Sequence, residues 1–416
     1  MQSVVLYHSI APYLPQLLIL SKRAQSVSRI SETRYRFIFK EPTIETKVIK
    51  KIEDIPLAEW DKVFPSVLEG YHFFKSLDQS NFEQFQFYYL LVYDKGILVG
   101  ATSCFLMNYP LDTTVQGVLK NISFAIKKVF PNIFNLKVLI CGLPMGRGRI
   151  GILGDPNRVI KAIVECMEQL ADQEKIPIVA FKDFGFEHTN ALDQLQKEGF
   201  SKFESLPTTE KDLHFATFDE YLKTLSGASR YDLKRKFKKV DGRVKIDLEV
   251  SSELNGELEA AYNLYLQTEA KGDNQFEKVP KRFFEKVSEN MPNQTKYFLW
   301  RINNKLVAFN YCLVSKDYLL DCYLGLDYSV AYDYGLYFIK FRDVMNWCIK
   351  NNIKKYEMGV SNYDPKKRLG FDFIPLYVYV KSSNKWISLF FKKFGTCLEP
   401  ANYDPILKEL KRNNYQ

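Results

Sequence analysis

Apolar and polar positions along this chain fall into two similar patterns. The first is FYYLLVYDKGILVGATSCFL, residues 87–106, and the second is KYFLWRINNKLVAFNYCLV, residues 296–314. Each is an apolar run, a short polar turn and another apolar run. Asp94-Lys95-Gly96 and Asn303-Asn304-Lys305 carry hairpin turn chemistry. Leu98, Val99 and Cys104 recur as Leu306, Val307 and Cys312, all at an offset of 208 residues. The order of elements downstream of each hairpin agrees too. LKVLICGLP (136–144), a helix from Pro156 to about Lys175 and PIVAFKDF (177–184) succeed the first hairpin. YLLDCYLGL (318–326), a helix from about Tyr334 to Lys350 and IKKYEMGV (353–360) succeed the second. Val159, Ile163, Cys166 and Leu170 repeat with the 3.6-residue period of a buried helix face, as do Phe338, Phe341, Met345 and Cys348. Asp155-Pro156 is an N-cap followed by proline at the first helical position.

The pattern predicts an α/β protein with mixed sheets and two related domains, since 416 residues are too many for one core. The expected division is an extension over 1–45, a first domain over 46–213, a second over 214–385 and a tail over 386–416. An amphipathic segment near 113–129 is extra to the first domain.

Apolar residues make up 46% and charged residues 26%, the balance of a soluble globular protein. The 32 Phe and 26 Tyr suit broad sheet faces and lined clefts. Seven scattered cysteines without a C-x-x-C predict buried, reduced thiols and a cytoplasmic location. The four histidines lack metal-ligand spacing, so no metal is expected. Residues 4–20 are apolar, but Pro12 and Pro15 interrupt them and Lys22 and Arg23 come after rather than before. This predicts neither a signal peptide nor a spanning helix. It predicts a segment that packs irregularly or lies on a surface, with peripheral membrane contact included.

The net charge is +9, and much of the excess sits in GASRYDLKRKFKKVDGRVKIDLEV, residues 227–250. Ser229 is a candidate N-cap, and Leu233, Phe237 and Val240 share one helical face. Arg230, Lys234, Arg235, Lys236, Lys238 and Lys239 surround that face, against Asp232 alone. One reading is a solvated charged face. The other is a seat for phosphates or another anionic ligand, which relieves the mutual repulsion. Stacking residues are sparse on this helix, which argues against sequence-specific nucleic-acid reading. GLPMGRGRIGILGDP, residues 142–156, places five glycines with Arg147 and Arg149 ahead of a helix start. It is either a structural loop or an anion seat, and it lacks the spacing of a nucleotide-hydrolysing loop.

SRYDLKRKFKKVDGRVKI, LGLDYSVAYDYGLYFIKFRDVMNWCIKNNIKKYEMG and VSNYDPKKRLGFDFIP together resemble the FemAB-like proteins of the GNAT acyltransferase superfamily. The resemblance is good over residues 215–380 and weaker over 46–213. It implies two tandem GNAT-like domains with a cleft between them, and transfer of an acyl or aminoacyl group to an amine. The acceptor it implies is a small-molecule, peptide or glycan-precursor amine, often part of a cell-wall or lipid-linked precursor. The donor it implies is acetyl-CoA or another acyl-CoA. The stretch 254–270 has room for one helix rather than a long helical hairpin, which favours acyl-CoA over aminoacyl-tRNA. An aminoacyl-tRNA-dependent transferase and a non-catalytic anionic-ligand binder are the alternatives.

By the resemblance, the donor lies along Tyr323, Leu324 and Gly325 and at Tyr334-Gly335. The GNAT phosphate loop, Q/R-x-x-G-x-G/A, keeps only Gly335 here, and Asp333 beside it opposes a phosphate. The family's closing Tyr, Lys and Gly-Phe elements become Tyr363, Lys366 or Lys367, Gly370 and Phe371. Asp321, an acid in an apolar run, is either a base or a paired structural acid, and Glu357 is similar. Tyr363 is a candidate proton donor. Arg230, Lys234, Arg235, Lys366 and Arg147 are candidates for holding an anionic acceptor.

Overall fold

A computed structural model describes residues 35–38, 43–110, 135–272 and 276–412. The segments 4–20 and 113–129 therefore lie outside the described residues. In chain order the elements begin with β1 (Tyr35–Ile38), β2 (Ile44–Ile49), α1 (Leu57–Val63), α2 (Tyr71–Asp78), β3 (Gln86–Asp94) and β4 (Ile97–Pro110). Next come β5 (Asn135–Cys141), β6 (Ile150–Ile152), α3 (Pro156–Gln173), β7 (Ile178–Gly185), α4 (Phe186–Leu192), β8 (Ser201–Glu204) and β9 (Thr208–Asp212). The chain continues through α5 (Phe218–Thr224), α6 (Gly227–Asp241), β10 (Asp247–Ser251), α7 (Leu258–Glu269), α8 (Lys281–Asn290), β11 (Thr295–Ile302) and β12 (Lys305–Val314). It closes with β13 (Tyr318–Leu326), α9 (Leu336–Lys350), β14 (Lys355–Gly359), α10 (Tyr363–Arg368), β15 (Asp372–Ile374), β16 (Leu376–Ser382), α11 (Lys385–Phe394) and α12 (Pro405–Arg412).

These elements form two compact units. Unit 1 takes the described parts of Met1–Pro65, Glu83–Leu206 and Pro375–Gln416, and unit 2 takes Ser66–Phe82 and Pro207–Ile374. The sheet of unit 1 runs β1-β2-β3-β4-β5-β7-β16-β8, with β6 also paired to β4. That of unit 2 runs β10-β11-β12-β13-β14-β9-β15. Both hairpins turn through residues with positive φ, Lys95 (50°) and Gly96 (79°) in one, Asn303 (49°) and Asn304 (64°) in the other. Two such residues match the right-handed twist of the flanking strands.

In unit 1, Asp155 caps α3 by accepting from the N–H groups of Asn157 at 2.8 Å and Arg158 at 3.3 Å. Val159, Ile163, Cys166 and Leu170 are buried in the unit's core as their period predicts. In unit 2, α9 buries Phe341, Met345 and Cys348, while Phe338 sits at the margin and Lys340 lies inside. The basic helix α6 starts one turn before its expected cap. Ser226, not Ser229, accepts the capping hydrogen bond, and Leu233, Phe237 and Val240 are its buried face.

Three segments depart from the expected division of the chain. β9 pairs with β14 and β15 in the second sheet, β16 pairs with β7 and β8 in the first, and α2 belongs to unit 2. The reason is edge pairing. The outer flanks of β7 and β14 present bare N–H and C=O groups, and each takes an antiparallel strand from elsewhere in the chain.

Candidate functional site

β13 and β14 of unit 2 are parallel, but only Tyr318, Leu319 and Leu320 pair, with Lys355, Tyr356 and Glu357. Beyond that point β13 continues along β12 to Leu326, while β14 continues along β9. A bulge marks the parting on each strand. Cys322 is the extra residue opposite Tyr311 and Cys312, and Met358 is the extra residue opposite Glu210 and Thr209. Bulges bend a strand and redirect its backbone groups, so the two strands form a fork. Cys322, Tyr323 and Leu324, just past the last paired residue, are half-buried, whereas Leu319 before it is buried.

The α9 side of the fork is held by a buried ion pair. Lys340 of α9 binds the Asp321 carboxylate, which also accepts the Tyr356 hydroxyl at 2.7 Å. Of the two readings of Asp321, the geometry gives the paired structural acid. Taking one partner away would leave the other charge buried and uncompensated. On the opposite face, Glu357 accepts the Thr208 hydroxyl at 2.6 Å and the Tyr318 hydroxyl on its other oxygen. Glu69 of the segment before α2 is buried as well, and the charges of Glu69 and Glu357 both reach Cys322. Burial pushes the pKa of the Cys322 thiol well above its usual range, which disfavours the thiolate.

Lys366 differs from its expected role. It is buried, and its ammonium donates to the carbonyls of Met358 (2.9 Å), Gly359 (3.1 Å) and Val360 (3.0 Å). A lysine has three donors, and these three carbonyls use them all. Lys366 therefore shapes the end of β14 and has no donor left for an acceptor's charge. Burial pulls its pKa from 10.5 down to about 7. Tyr363 is likewise engaged. Its hydroxyl donates to the Pro207 carbonyl at 2.9 Å, which ties α10 to the start of β9 and commits the proton expected for catalysis.

The candidate donor residues divide. Tyr323 packs edge-on against Tyr265 and Phe284 and stacks on Tyr311. Gly325 is required by packing: a Cβ there would meet the Phe309 ring at 2.3 Å and the Tyr265 nitrogen at 2.7 Å. Leu324 packs at the margin of the core. The turn before α9 has largely satisfied itself. The amides of Tyr328 and Ser329 bond the side chains of Gln267 and Asp327, and those of Val330, Ala331, Tyr334, Gly335 and Leu336 bond nearby carbonyls. Gly335 supplies the left-handed residue (φ 56°) at which α9 starts. That pattern leaves little of the junction for a phosphate.

Unit 1 has the corresponding strand pair, β5 and β7, paired from Val138↔Ile178 to Cys141↔Phe181. Here the glycine-rich segment occupies the space past the last pair. The Gly142 N–H donates to the Ser103 carbonyl at 3.0 Å, and the Gly148 N–H donates to the Asp183 carbonyl at 2.9 Å. A Cβ on Gly148 would stand 2.4 Å from the Lys182 carbonyl oxygen and 2.6 Å from the Phe184 ring. Of the two readings of this loop, the geometry gives the structural one. Arg147 is half-buried within it.

On α6, Lys234, Arg235, Lys238 and Lys239 are exposed, and Arg230 is half-buried. Asp232 binds Arg235 at 2.7 Å and Lys236 at 2.5 Å, and Lys236 also lies over the Phe338 ring. The charge of Lys234, Lys238 and Lys239 is left facing solvent. Sequence reasoning missed Lys340, Thr208, Tyr318 and Glu69. For Lys340 a signal existed, a lysine on the apolar stripe of α9.

Comparison with known proteins agrees with this architecture. The chain resembles the crystal structure of FemX at 12% identity and a TM-score of 0.53, over 81% of this chain and 98% of that one. It resembles a tandem GNAT protein from the clavulanic acid biosynthesis pathway at 10% identity and a TM-score of 0.50, over 82% and 99%. These likenesses establish the fold, tandem GNAT-like domains. By sequence it is 25% identical over 328 residues to a Mycobacterium tuberculosis protein named putative 8-amino-7-oxononanoate synthase 2. That match covers 76% of this chain and 42% of the relative, so the name describes a much longer protein. The profile of the FemAB-like family, described as peptidoglycan biosynthesis/recognition, matches residues 137–388. That is well over half of the sequence, and the chain belongs to the FemAB-like family.

Proposed function

We propose that this protein is an N-acyltransferase. In this reading it moves an acyl group, acetyl from acetyl-CoA, onto an amine of an anionic cell-envelope precursor in the cytoplasm. The family supports acyl or aminoacyl transfer in envelope synthesis. The observation that carries the reading is the fork of unit 2, where β13 and β14 stop pairing after Leu320 and Glu357. Separated strand edges offer N–H and C=O groups to the amides of a pantetheine arm, as they would to an added strand. The reaction needs a neutral amine, a polarised carbonyl and a proton for the leaving thiolate.

Glu357, fixed by Thr208 and Tyr318 beside the fork, is the proposed proton acceptor for the amine. The amine nitrogen attacks the thioester carbonyl, a C–N bond forms, the C–S bond breaks and the thiolate leaves to take a proton. In this reading transfer is direct from thioester to amine, and the burial that disfavours the Cys322 thiolate supports that order. The exposed charges of α6 are the proposed seat for the anionic acceptor. Acyl-CoA is preferred to aminoacyl-tRNA because α7 and α8 are short helices of 12 and 10 residues rather than one long arm.

Acetyl-CoA at about millimolar concentration should raise the melting temperature by mass action. It should also release thiol in the presence of amine-bearing muropeptide precursors. A shift with aminoacyl-tRNA and none with acetyl-CoA would reject the donor. Absence of thiol release with every such amine would reduce the protein to a binder.

A further inference from the structure

Helix α11 of unit 1 carries apolar side chains on two faces. Ile387 and Phe391 are buried, and the Phe391 ring lies 6.4 Å from that of Phe203 on β8, nearly parallel to it. Trp386 and Phe390, one turn apart, stand on another face and are 43% and 37% exposed. Phe390 continues the strip to Phe394 at 5.6 Å. Lys385, Lys392 and Lys393 are exposed on the same helix, which contains no acid. Between Lys385 and Arg412 the chain has six basic and three acidic residues. Glu399 binds Lys411 at 2.7 Å, and Asp404 caps α12 through the N–H groups of Ile406 and Leu407.

Single exposed apolar side chains are ordinary. A Trp-Phe strip flanked by lysines on a helix is the composition of one that lies in a membrane interface. We propose that α11 docks unit 1 onto an anionic phospholipid surface. Trp386 and Phe390 enter the boundary between headgroups and acyl chains, and Lys385, Lys392 and Lys393 meet lipid phosphates. At ten residues, α11 is too short to cross a bilayer and lies on it. Charge selects the occupant. A second copy docked on the same face would bring its own three lysines against these three, whereas anionic lipid neutralises them.

The test is co-sedimentation of the full-length protein with vesicles of phosphatidylcholine, with or without phosphatidylglycerol. Binding should require phosphatidylglycerol and weaken with salt. Trp386→Ser with Phe390→Ser, and separately Lys392→Glu with Lys393→Glu, should each weaken binding by about tenfold or more. The lysine variant should leave the melting temperature unchanged, because both side chains are exposed, and it separates loss of lipid binding from any loss of packing in the Trp386/Phe390 variant. Equal binding to uncharged vesicles would overturn the proposal, as would wild-type binding by the Trp386/Phe390 variant. Concentration-dependent dimers that this variant abolishes, without vesicle binding by the wild type, would assign the face to a second copy. The readout involves no turnover, so its failure is separable from failure of the acyltransferase reading.

Discussion

The two units share a strand-helix-strand core and end their parallel strand pairs in opposite ways. In unit 1, the cross-strand partner of Cys104 is Cys141, and both thiols are fully buried. In unit 2, the equivalent Cys312 faces Asp321, and Lys340 of the following helix answers that acid. Past these positions unit 1 folds residues 142–149 back over β7, using Gly148 where no side chain fits. Unit 2 has no such glycine loop after β13, so its strands part and a buried lysine, Lys366, gathers the carbonyls at the end of β14. A duplicated scaffold thus keeps one copy sealed by backbone and the other held apart by charge. The second arrangement costs more to build, since each buried ion must be paired, and it is the one at which we propose the donor binds.

The strongest way to break this contrast is Lys340→Met, which strands Asp321 in the core. It should cost about 3–5 kcal/mol in urea denaturation, and adding Asp321→Leu should recover most of that. If the single variant is as stable as the wild type, the ion pair does not hold the fork.

Glu357→Gln sharpens the functional side. It should lower kcat by about 10²- to 10⁴-fold with KM little changed. Tyr318→Phe, which removes one hydrogen bond to the same carboxylate, should have a smaller effect of the same kind. Unchanged turnover in Glu357→Gln would remove it from the chemistry.

Lys366 predicts a pH dependence. Its folded pKa lies below its unfolded value, so the folded state binds fewer protons between about pH 7 and 10.5. The penalty for burying the ammonium is full below that window and fades as pH rises through it. Stability of the wild type relative to Lys366→Met should therefore rise with pH across the window, by about 1.4 kcal/mol per unit at most. A flat difference would show that the three carbonyls hold the proton regardless.

Gly148→Ala tests the sealed unit. It should lose about 1–3 kcal/mol from overpacking against the Lys182 carbonyl, while the thermal shift with acetyl-CoA persists. Loss of that shift would place the donor in unit 1. The smallest effect is at the surface. Lys234→Glu with Arg235→Glu should weaken acceptor binding several-fold at low salt and little at high salt. Unchanged binding at low salt would return α6 to a solvated face.

Much of the fold was legible in the sequence. Both hairpins, the strand 318–326, the cap at Asp155 and the buried stripe of α3 come from turn chemistry and local period. Less of the site was. Asp321 stood out as an acid in an apolar run, but its partner Lys340, a lysine on the apolar stripe of α9, was missed. Lys366 and Tyr363 entered through the resemblance, as an acceptor-binding lysine and a proton donor, yet the hydrogen bonds that occupy them are made with strand ends and loop carbonyls. The glycines of 142–154 left an anion seat open as the second reading, since only the facing strand shows that a Cβ on Gly148 has no room.

By itself, the sequence determined the two repeated α/β cores, their helix faces and the concentration of charge on α6, because alternation, period and turn geometry are properties of neighbouring residues. Tertiary structure alone decided which strands close each sheet, which fork is filled and which polar groups are spent on holding it. Those outcomes depend on partners far apart in the chain, as with Thr208 and Glu357, 149 residues apart and 2.6 Å from hydroxyl to carboxylate. Local pattern carries no record of such pairs, because burial and hydrogen bonding at those positions exist only once the sheet has assembled.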